Sequence, residues 1–307
     1  MIKIVIGTRG SELARAQARL VEQTLREKWP DLSIETKIVR TKGDESRSRS
    51  GASPHGQKGL FTAEIEKALL AGDVDLAVHS AKDLPSEINR GAEIAAVLPR
   101  AKTDDVLISK HSGCLAGLPS GATVATGSVR RTRQLHWRRP DLKVVDLRGN
   151  VPTRLRKLAE SNWDAIVLAR AGLERLDLSL ARNEINFERA RFFVEILSRE
   201  IFLPAGGQGI IALQVRTDDE SSREIVNPIN DRDTLLCLRA EREFLRLLKC
   251  DCQSPVGVLA EMENDKMRLR AQIFEHGSAS PREGEVEGER DDGDHLAAQL
   301  LKEINGE

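Results

Sequence analysis

The chain is predicted to be an α/β protein built on mostly parallel sheets. Short apolar runs alternate along it with amphipathic helical segments, which is the pattern of that fold class. Its 307 residues suffice for two or three domains of ordinary size. Hydrophobic residues make up 40% and charged residues 31% of the chain, the balance of a globular enzyme or binding protein.

The first α/β unit is predicted to fill about the first hundred residues. Strands are expected at 2–6, 34–40 and 76–78, with one helix after the sequence TRGS at 8–11 that ends near Trp29 and another at 62–71. Residues 43–56 are rich in Ser, Gly and Arg and too polar to pack. We expect them to form a mobile loop that orders over a binding cleft as a lid.

The second α/β unit is predicted to begin near Asp104. Strands are expected at 123–125, 144–147 and 165–168, and helices from Ser128 and from Val151. The sequence GGQG at 206–209 then precedes a strand at 210–215. That late strand is expected to rejoin the first sheet, so that the chain crosses twice between two lobes and GGQG forms the hinge.

A third unit is predicted after Pro228. It comprises a helix at 233–248, a short loop, an antiparallel hairpin and a closing helix. Residues 283–294 hold seven acids against Arg290 alone, so this segment is expected to be a solvated, disordered loop.

Basic residues are concentrated in one part of a chain whose formal net charge is −1. Ten Lys and Arg face only two acids between Arg130 and Lys157. Guanidinium groups bind carboxylates and phosphates bidentately, so the segment indicates a site for a multiply charged anion. The alternative is a solvated basic helix face.

Charged residues also follow the predicted strands, where parallel α/β sheets bind their ligands. These positions are Arg9, Lys82 with Asp83, Arg130 with Arg131, Arg148 and Arg154. Their placement favours a binding site over a solvated face.

Composition argues against several other classes. Aromatic residues make up 3% and Tyr is absent, which with the near-neutral charge argues against nucleic-acid binding. No apolar run is long enough for a bilayer, and no leader precedes the first strand. The four cysteines do not form a disulfide framework in a chain this long, so a cytoplasmic location is expected.

The sequence HSAKDLP at 79–85 is the predicted catalytic segment. Pro85 favours an extended Leu84, so that Asp83 can project at the end of a strand and relay a proton or balance a positive charge. The alternative is a surface pair of Lys82 with Asp83, which contributes little. His79 is expected to be a packed or hydrogen-bonded strand residue.

Two cysteines, Cys250 and Cys252, lie in one predicted loop. No second Cys or His pair has zinc-like spacing, and the redox pattern C-x-x-C is absent, so no metal site is predicted and a covalent anchor is an open role. Cys114 and Cys237 are expected to be buried or inert.

Seven segments together resemble the porphobilinogen deaminase family, also called hydroxymethylbilane synthases. They are TRGS at 8–11, KGLF at 58–61, AVHSAKDLP at 77–85, TGSVRR at 126–131, LRGNVPTR at 147–154, LPAGGQG at 203–209 and CQSPVG at 252–257. Seven matches in the family's order are highly specific.

The resemblance implies two periplasmic-binding-protein-like α/β lobes and a smaller C-terminal α+β domain that carries a cofactor cysteine. The expected domains are 1–100 with 208–226, then 101–207, then 227–307. The implied enzyme is a transferase of tetrapyrrole (haem and chlorophyll) biosynthesis. It condenses four porphobilinogen molecules onto a bound dipyrromethane primer, releasing ammonia at each step, and hydrolysis then frees hydroxymethylbilane. A cytoplasmic monomer without nucleic-acid, membrane or metal partners is expected.

The resemblance also assigns individual residues. Asp83 is the implied catalytic residue, and Cys252 is the implied thioether anchor of dipyrromethane. The other implied cofactor contacts are Ser80, Lys82, Asp83, Thr126, Ser128, Arg130, Arg131, Arg148 and Gly149. The implied substrate contacts are Arg9, Ser11, Lys58, Arg148, Arg154, Arg175 and Gln208.

Three features depart from the family's pattern. Cys250-Asp251 replaces the usual Gly-Gly before the anchor, which leaves Cys250 as a rival anchor, and Pro54 replaces a lysine. Residues 181–201 form a longer segment than usual. The main alternative function is a two-lobed anion receptor without catalysis, which explains the arginines but neither the loop cysteine nor the third domain.

Overall fold

The structure, a computed structural model, describes residues 3–39, 62–111, 113–180, 183–249, 254–275 and 277–307. The helices are α1 (Glu12–Lys28), α2 (Ala63–Leu70), α3 (Val129–Arg138), α4 (Val151–Glu160), α5 (Arg170–Glu174), α6 (Glu220–Val226), α7 (Arg232–Leu247) and α8 (Gly293–Asn305). The strands are β1 (Lys3–Thr8), β2 (Ser33–Ile38), β3 (Leu76–Ser80), β4 (Ala92–Val97), β5 (Asp105–Ser109), β6 (Thr123–Ala125), β7 (Lys143–Val145), β8 (Ala165–Ala169), β9 (Glu184–Phe187), β10 (Ala190–Ile196), β11 (Ile211–Arg216), β12 (Val256–Glu263), β13 (Lys266–Ile273) and β14 (Arg282–Glu289).

The first sheet has the strand order β2-β1-β3-β11-β4. Strand β1 runs parallel to β2 and β3, whereas β11 runs antiparallel to both β3 and β4. Helix α1 packs its Val21 and Leu25 against Ile4, Ile6 and other strand residues of the core. The prediction that a late strand rejoins the first sheet is therefore confirmed, and it brings the GGQG segment next to β3.

The second sheet has the order β7-β6-β8-β5-β10-β9. Strand β6 is parallel to β7 and β8, but β5 is antiparallel to β8 and β10. The expected mostly parallel sheets are thus mixed sheets. A strand that runs parallel to the preceding strand of its sheet needs a crossover connection. Strands β5 and β11 instead enter their sheets directly from the other lobe, and both run antiparallel to their neighbours. The long 181–201 segment contributes the antiparallel hairpin β9–β10.

The third sheet, β12-β13-β14, is antiparallel and packs against α7 and α8. The expectation of a disordered acidic loop at 283–294 is wrong, because most of that segment is β14 and the start of α8. Every second residue of β14 faces solvent, and these glutamates pair across the sheet, as Glu285 does with Arg268 at 2.7 Å. On the other face, Val286 is buried and Gly288 leaves room for Leu296 of α8.

The predicted fold class, two α/β lobes with a smaller C-terminal α+β domain, is confirmed. The domain boundaries remain a prediction. No helix in the described part of the chain is long and apolar enough to cross a membrane.

Candidate active site

The predicted catalytic segment lies at the end of β3, a central strand of the first sheet. A 3-10 turn at Ala81–Asp83 follows directly, and the Leu84 amide donates to the Ala81 carbonyl at 3.2 Å. Ser80 is held by the Gln17 amide of α1, which donates to Ser80 Oγ at 2.8 Å and accepts from it at 3.2 Å. The turn therefore presents Lys82 and Asp83 from a fixed position at the sheet's edge.

His79 precedes this turn and is a hydrogen-bonded core residue, as expected. Its Nε2 lies 3.1 Å from Gln214 Oε1, and the Gln214 amide donates to Glu66 at 2.9 Å. Burial lowers the pKa of His79 to about 4, against the opposing effects of the Gln214 hydrogen bond and the Asp83 charge. His79 is therefore neutral near pH 7.

Asp83 is partly buried. Its carboxylate makes no hydrogen bond or ion pair with any residue that the structure describes, although its charge acts on both His79 and Lys82. The alternative of a Lys82–Asp83 surface pair is wrong within the described residues, since Lys82 Nζ donates instead to Gln208 Oε1 at 3.4 Å. The Asp83 carboxylate is thus available to a ligand.

Arg130 and Arg131 lie in the first turn of α3, which begins at the N-cap residue Ser128. They are buried, with 4% and 6% of their surface exposed. Arg130 NH1 lies 2.8 Å from Asp105 Oδ2, and Arg131 NH2 lies 2.7 Å from Asp105 Oδ1. Burial alone would raise the pKa of Asp105, but the two guanidinium charges and their hydrogen bonds hold it well below its usual range.

Backbone carbonyls also accept hydrogen bonds from these arginines, from the same NH1 in Arg130 and from the other terminal nitrogen in Arg131. Arg130 NH1 donates to the Leu203 carbonyl at 2.8 Å, and Arg131 NH1 donates to the Val167 carbonyl at 3.0 Å. The Nε of each is buried and has no hydrogen-bond partner among the described residues. A buried donor without a partner is costly, so the site fits a further acceptor such as a ligand carboxylate.

Gln208 links the two lobes at this point. Its Nε2 donates to the Thr103 carbonyl at 2.7 Å and to Asp105 Oδ1 at 2.8 Å, while its Oε1 accepts from Lys82. The flanking Gly207 and Gly209 have φ of +74° and +88°, and a Cβ on Gly209 would lie 2.5 Å from the Ala101 carbonyl oxygen. We call Lys82, Asp105, Arg130, Arg131 and Gln208 the interior polar cluster.

Burial lowers the pKa of Lys82 to about 8. The charges of Arg131 and Arg130 add to this lowering, and those of Asp83 and Asp105 oppose it. The cluster is thus a partly compensated positive site beside the Asp83 carboxylate.

Three other predicted site residues are Arg175, which contacts the segment that carries Gln208, and Arg9 and Ser11 of the first lobe. Arg175, at the end of α5, donates to the Gly209 carbonyl at 2.6 Å, and burial lowers its pKa to about 10. Arg9 follows β1 directly, and its charge acts on His79. Ser11 is the N-cap of α1, where its Oγ accepts from the Ala14 amide at 3.3 Å.

The next predicted contacts belong to the starts of α3 and α4. Thr126 is buried, and its Oγ1 accepts from the Ser128 amide at 3.3 Å. Gly149 has φ of +125°, and Arg154 Nε donates to its carbonyl at 2.7 Å. Arg148 is not drawn into the interior polar cluster, since its side chain is 52% exposed and pairs with Asp146 at 2.8 Å.

Several predicted features lie outside the described residues. These are Lys58, Cys250, Cys252 and the 43–56 loop. Of the remaining cysteines, Cys237 is buried, and burial raises its pKa to about 12. Cys114, expected to be buried or inert, lies exposed after β5, so it is not buried, and its inertness stays a prediction. Within the described ranges no His, Cys, Asp and Glu group could hold a metal ion.

Sequence reasoning missed three residues that organise the site: Asp105, Gln17 and Glu241. Asp105 is the first residue of a mostly apolar strand, and this acid at the start of the strand was the sequence signal that could have revealed its role. Glu241, in the third domain, is fully buried, pairs with Arg100 at 2.6 Å and accepts from the Gly207 amide at 2.6 Å. It ties the C-terminal domain to the GGQG segment at 206–209, a contact that no local pattern predicts.

The fold and the site define a class: a two-lobed α/β protein with a buried cationic cluster between its lobes and a carboxylate at its edge. A family model described as "Porphobilinogen deaminase, dipyromethane cofactor binding domain" matches residues 4–224. A second, "Porphobilinogen deaminase, C-terminal domain", matches residues 235–305. The chain belongs to the porphobilinogen deaminase family, as the sequence segments predicted.

Curated relatives agree with this assignment. The chain is 44% identical to a porphobilinogen deaminase of Roseiflexus sp. over 270 residues, which cover 88% of this chain and 85% of that protein. It is 42% identical over 302 residues to the porphobilinogen deaminase of Thermus thermophilus, covering 98% and 95%. It is 43% identical over 302 residues to the porphobilinogen deaminase of Pelotomaculum thermopropionicum, and these cover 98% of this chain and 93% of that protein.

Proposed function

We propose that this chain catalyses its family's reaction, the condensation of four porphobilinogen molecules and release of hydroxymethylbilane. The observation that carries the proposal is the family match over nearly the whole chain, together with a carboxylate beside a buried cationic cluster. Each porphobilinogen brings an acetate and a propionate, so a growing chain of pyrroles accumulates negative charge. A site with several buried cations suits such a ligand.

The residues around the cluster fit a dipyrromethane cofactor. Its two rings carry four carboxylates, and the buried Nε donors of Arg130 and Arg131 offer bonds that no described residue uses. We assign these arginines with Lys82, Ser80, Thr126, Ser128, Arg148 and Gly149 to cofactor binding, and Cys252 to the thioether. When bound, the cofactor supplies the primer to which substrate pyrroles are joined.

Asp83 is assigned the chemical role. The aminomethyl nitrogen of porphobilinogen leaves as ammonia, which requires a proton at that nitrogen and leaves a cationic azafulvene. A carboxyl group at Asp83 can supply the proton, and the resulting carboxylate can then stabilise the cation. Neighbouring His79 is neutral, so it adds no competing positive charge.

Substrate carboxylates are assigned to residues from both lobes, namely Arg9, Ser11, Lys58, Arg148, Arg154, Arg175 and Gln208. The link from Gln208 to Lys82 supports a site that both lobes complete. We further propose a cytoplasmic monomer whose partner is porphobilinogen, without nucleic acid or membrane.

Replacement of Asp83 tests this assignment. Asp83→Asn keeps the shape and removes the acid, so hydroxymethylbilane and ammonia formation should fall by about 10²- to 10⁴-fold. Asp73→Asn is the matched control, because Asp73 is exposed and its carboxylate forms a surface pair with Lys37 at 3.5 Å. An Asp83→Asn enzyme that works at the parent rate would end the catalytic role. A parent chain that binds porphobilinogen without releasing ammonia would favour the receptor alternative.

A further inference from the structure

Asp105 is the buried centre of the interior polar cluster. It is the first residue of β5, where its backbone pairs with Ala169 of β8 and its carbonyl accepts from the Leu197 amide at 2.9 Å. Its side chain is fully buried. The carboxylate is therefore fixed in place by the second sheet, independently of any ligand.

Three side chains from two segments converge on this one carboxylate. Arg130 and Arg131 approach from α3 at 2.8 and 2.7 Å, and Gln208 approaches from the GGQG segment at 2.8 Å. The Leu203 carbonyl also accepts from Arg130 NH1, and the Val167 carbonyl accepts from the other terminal nitrogen of Arg131, NH1, so each guanidinium is held by a second group besides Asp105. The Nε donors without described partners are then left in a defined direction.

The same carboxylate reaches the first lobe through Gln208. Because the amide nitrogen of Gln208 donates to Asp105, its amide oxygen is turned towards Lys82 Nζ at 3.4 Å. The single negative charge of Asp105 thus orients Arg130, Arg131 and Lys82, and it compensates only part of their three positive charges. An anionic ligand would complete the balance.

We propose that Asp105 is a positioning residue of the family reaction, a buried counter-ion that directs Arg130, Arg131 and Lys82 towards the carboxylates of cofactor and substrate. This inference rests on the proposed function, since it assumes that these cations bind those carboxylates. Asp105 touches neither ligand in this scheme and acts through the side chains that do.

Charge and shape can be separated at this position. Asp105→Asn keeps the shape and loses the charge, whereas Asp105→Glu keeps the charge and adds one methylene. A purely structural residue would tolerate Asn better than Glu, and a counter-ion would tolerate Glu better than Asn. The adjacent Asp104 supplies a matched control, because it is 17% exposed and lies 3.6 Å from Arg170 and 3.8 Å from Arg199, outside the cluster.

The pH profile gives a readout that packing alone would not move. Lys82 is faced by Arg131, Arg130, Asp83 and Asp105, and its pKa of about 8 is held up in part by the charge of Asp105. If protonated Lys82 binds a carboxylate, kcat/KM of the parent falls as pH rises through about 8. Removal of the Asp105 charge lowers the pKa of Lys82 further, so this alkaline limb should move to lower pH.

The experiment compares the parent holoenzyme with Asp105→Asn, Asp105→Glu and Asp104→Asn. Intact mass gives the fraction that carries the cofactor, and assays with porphobilinogen give kcat, KM and their pH dependence. In Asp105→Asn we expect cofactor loading or kcat/KM to fall by about 10- to 100-fold, the range for lost partners that orient metal ligands. Its alkaline limb should also shift. Asp104→Asn should match the parent, and Asp105→Glu should lie between the two.

Parent-like loading and an unshifted pH profile in Asp105→Asn would overturn the proposal. If circular dichroism shows that Asp105→Asn is unfolded, Asp105→Glu becomes the test. A folded Asp105→Glu that cannot load cofactor would show that the shape of this side chain matters and its charge does not, which would also overturn the proposal. A parent that neither loads cofactor nor forms product would instead refute the proposed function, so the two failures are distinct.

Discussion

The two ends of the basic segment at 130–157 have different environments in the folded chain. At its start, Arg130 and Arg131 are buried and share the carboxylate of Asp105. Towards its end, Arg148 and Arg156 are about half exposed and pair with Asp146 and Glu188 at 2.8 and 2.7 Å. Basic residues are frequent at both ends, with five in residues 130–139 and four in residues 148–157. Only at the first end are the charges buried, where the loss of one partner is strongly destabilising, whereas an exposed pair contributes little.

The positions of Arg130 and Arg131 around helix α3 account for their burial. The buried residues of α3 are Arg130, Arg131, Gln134 and Leu135, which lie on one face at i, i+1, i+4 and i+5. Arg139, just past its end, performs a structural task instead: it pairs with Asp141 at 2.8 Å and donates to the Leu115 carbonyl at 2.7 Å. A basic run therefore contains binding, structural and solvated residues side by side.

The largest effect is expected from Arg131→Leu. The assignment of Arg131 to the cofactor implies that this change blocks cofactor assembly or early elongation. Because Arg131 is buried against Asp105, we now expect it to lower the free energy of unfolding as well, by about 3–5 kcal/mol, as for other broken buried pairs. Denaturant unfolding of the parent and variant measures this, and a loss below about 1 kcal/mol would contradict the account.

A smaller effect is expected from Lys82→Met. It should change how the free energy of unfolding depends on pH. The pKa of Lys82 is about 8 in the folded chain and 10.5 ordinarily, so between these values the unfolded chain binds more protons. Stability of the parent should therefore rise with pH in this window, by at most about 1.4 kcal/mol per pH unit from this group. Lys82→Met should remove that contribution, and an identical slope in both chains would refute it.

The smallest effect is expected at the exposed end. Arg148→Leu should raise the KM for porphobilinogen by about fivefold, equivalent to about 1 kcal/mol, because an exposed arginine binds a carboxylate weakly. Arg156→Leu is the matched control, since Arg156 has similar exposure and an equivalent ion pair but is outside the predicted site. Equal KM values for the two variants would remove Arg148 from the site.

Local signals in the sequence predicted most elements and the residues at their ends. Ser128 before Val129 is an N-cap, and α3 begins there. Apolar runs predicted β3, β6, β8 and β11 within one or two residues. The resemblance to the family named Lys82, Arg130, Arg131 and Gln208, and these four lie in direct contact or share Asp105.

What the sequence did not predict depends on contacts between distant segments. Asp105 acquires its role only because residues 130, 131 and 208 meet it after folding. The acids of β14 form a strand because Arg268 lies opposite and α8 covers the other face. The periodicity of apolar residues along a helix or a strand contains no information on the partners of Asp105 or on those of the β14 acids.

The most direct test of the account is the intact mass of the purified chain with peptide mapping, for the parent, Arg156→Leu and Arg131→Lys. Lysine keeps the charge at 131 but cannot reproduce the forked geometry of a guanidinium. We expect the parent and Arg156→Leu to weigh more than their chains by two pyrrole units, with the addition on Cys252, and Arg131→Lys to carry little or none. An active parent without the addition, an addition on Cys250, or full loading of Arg131→Lys would contradict the account.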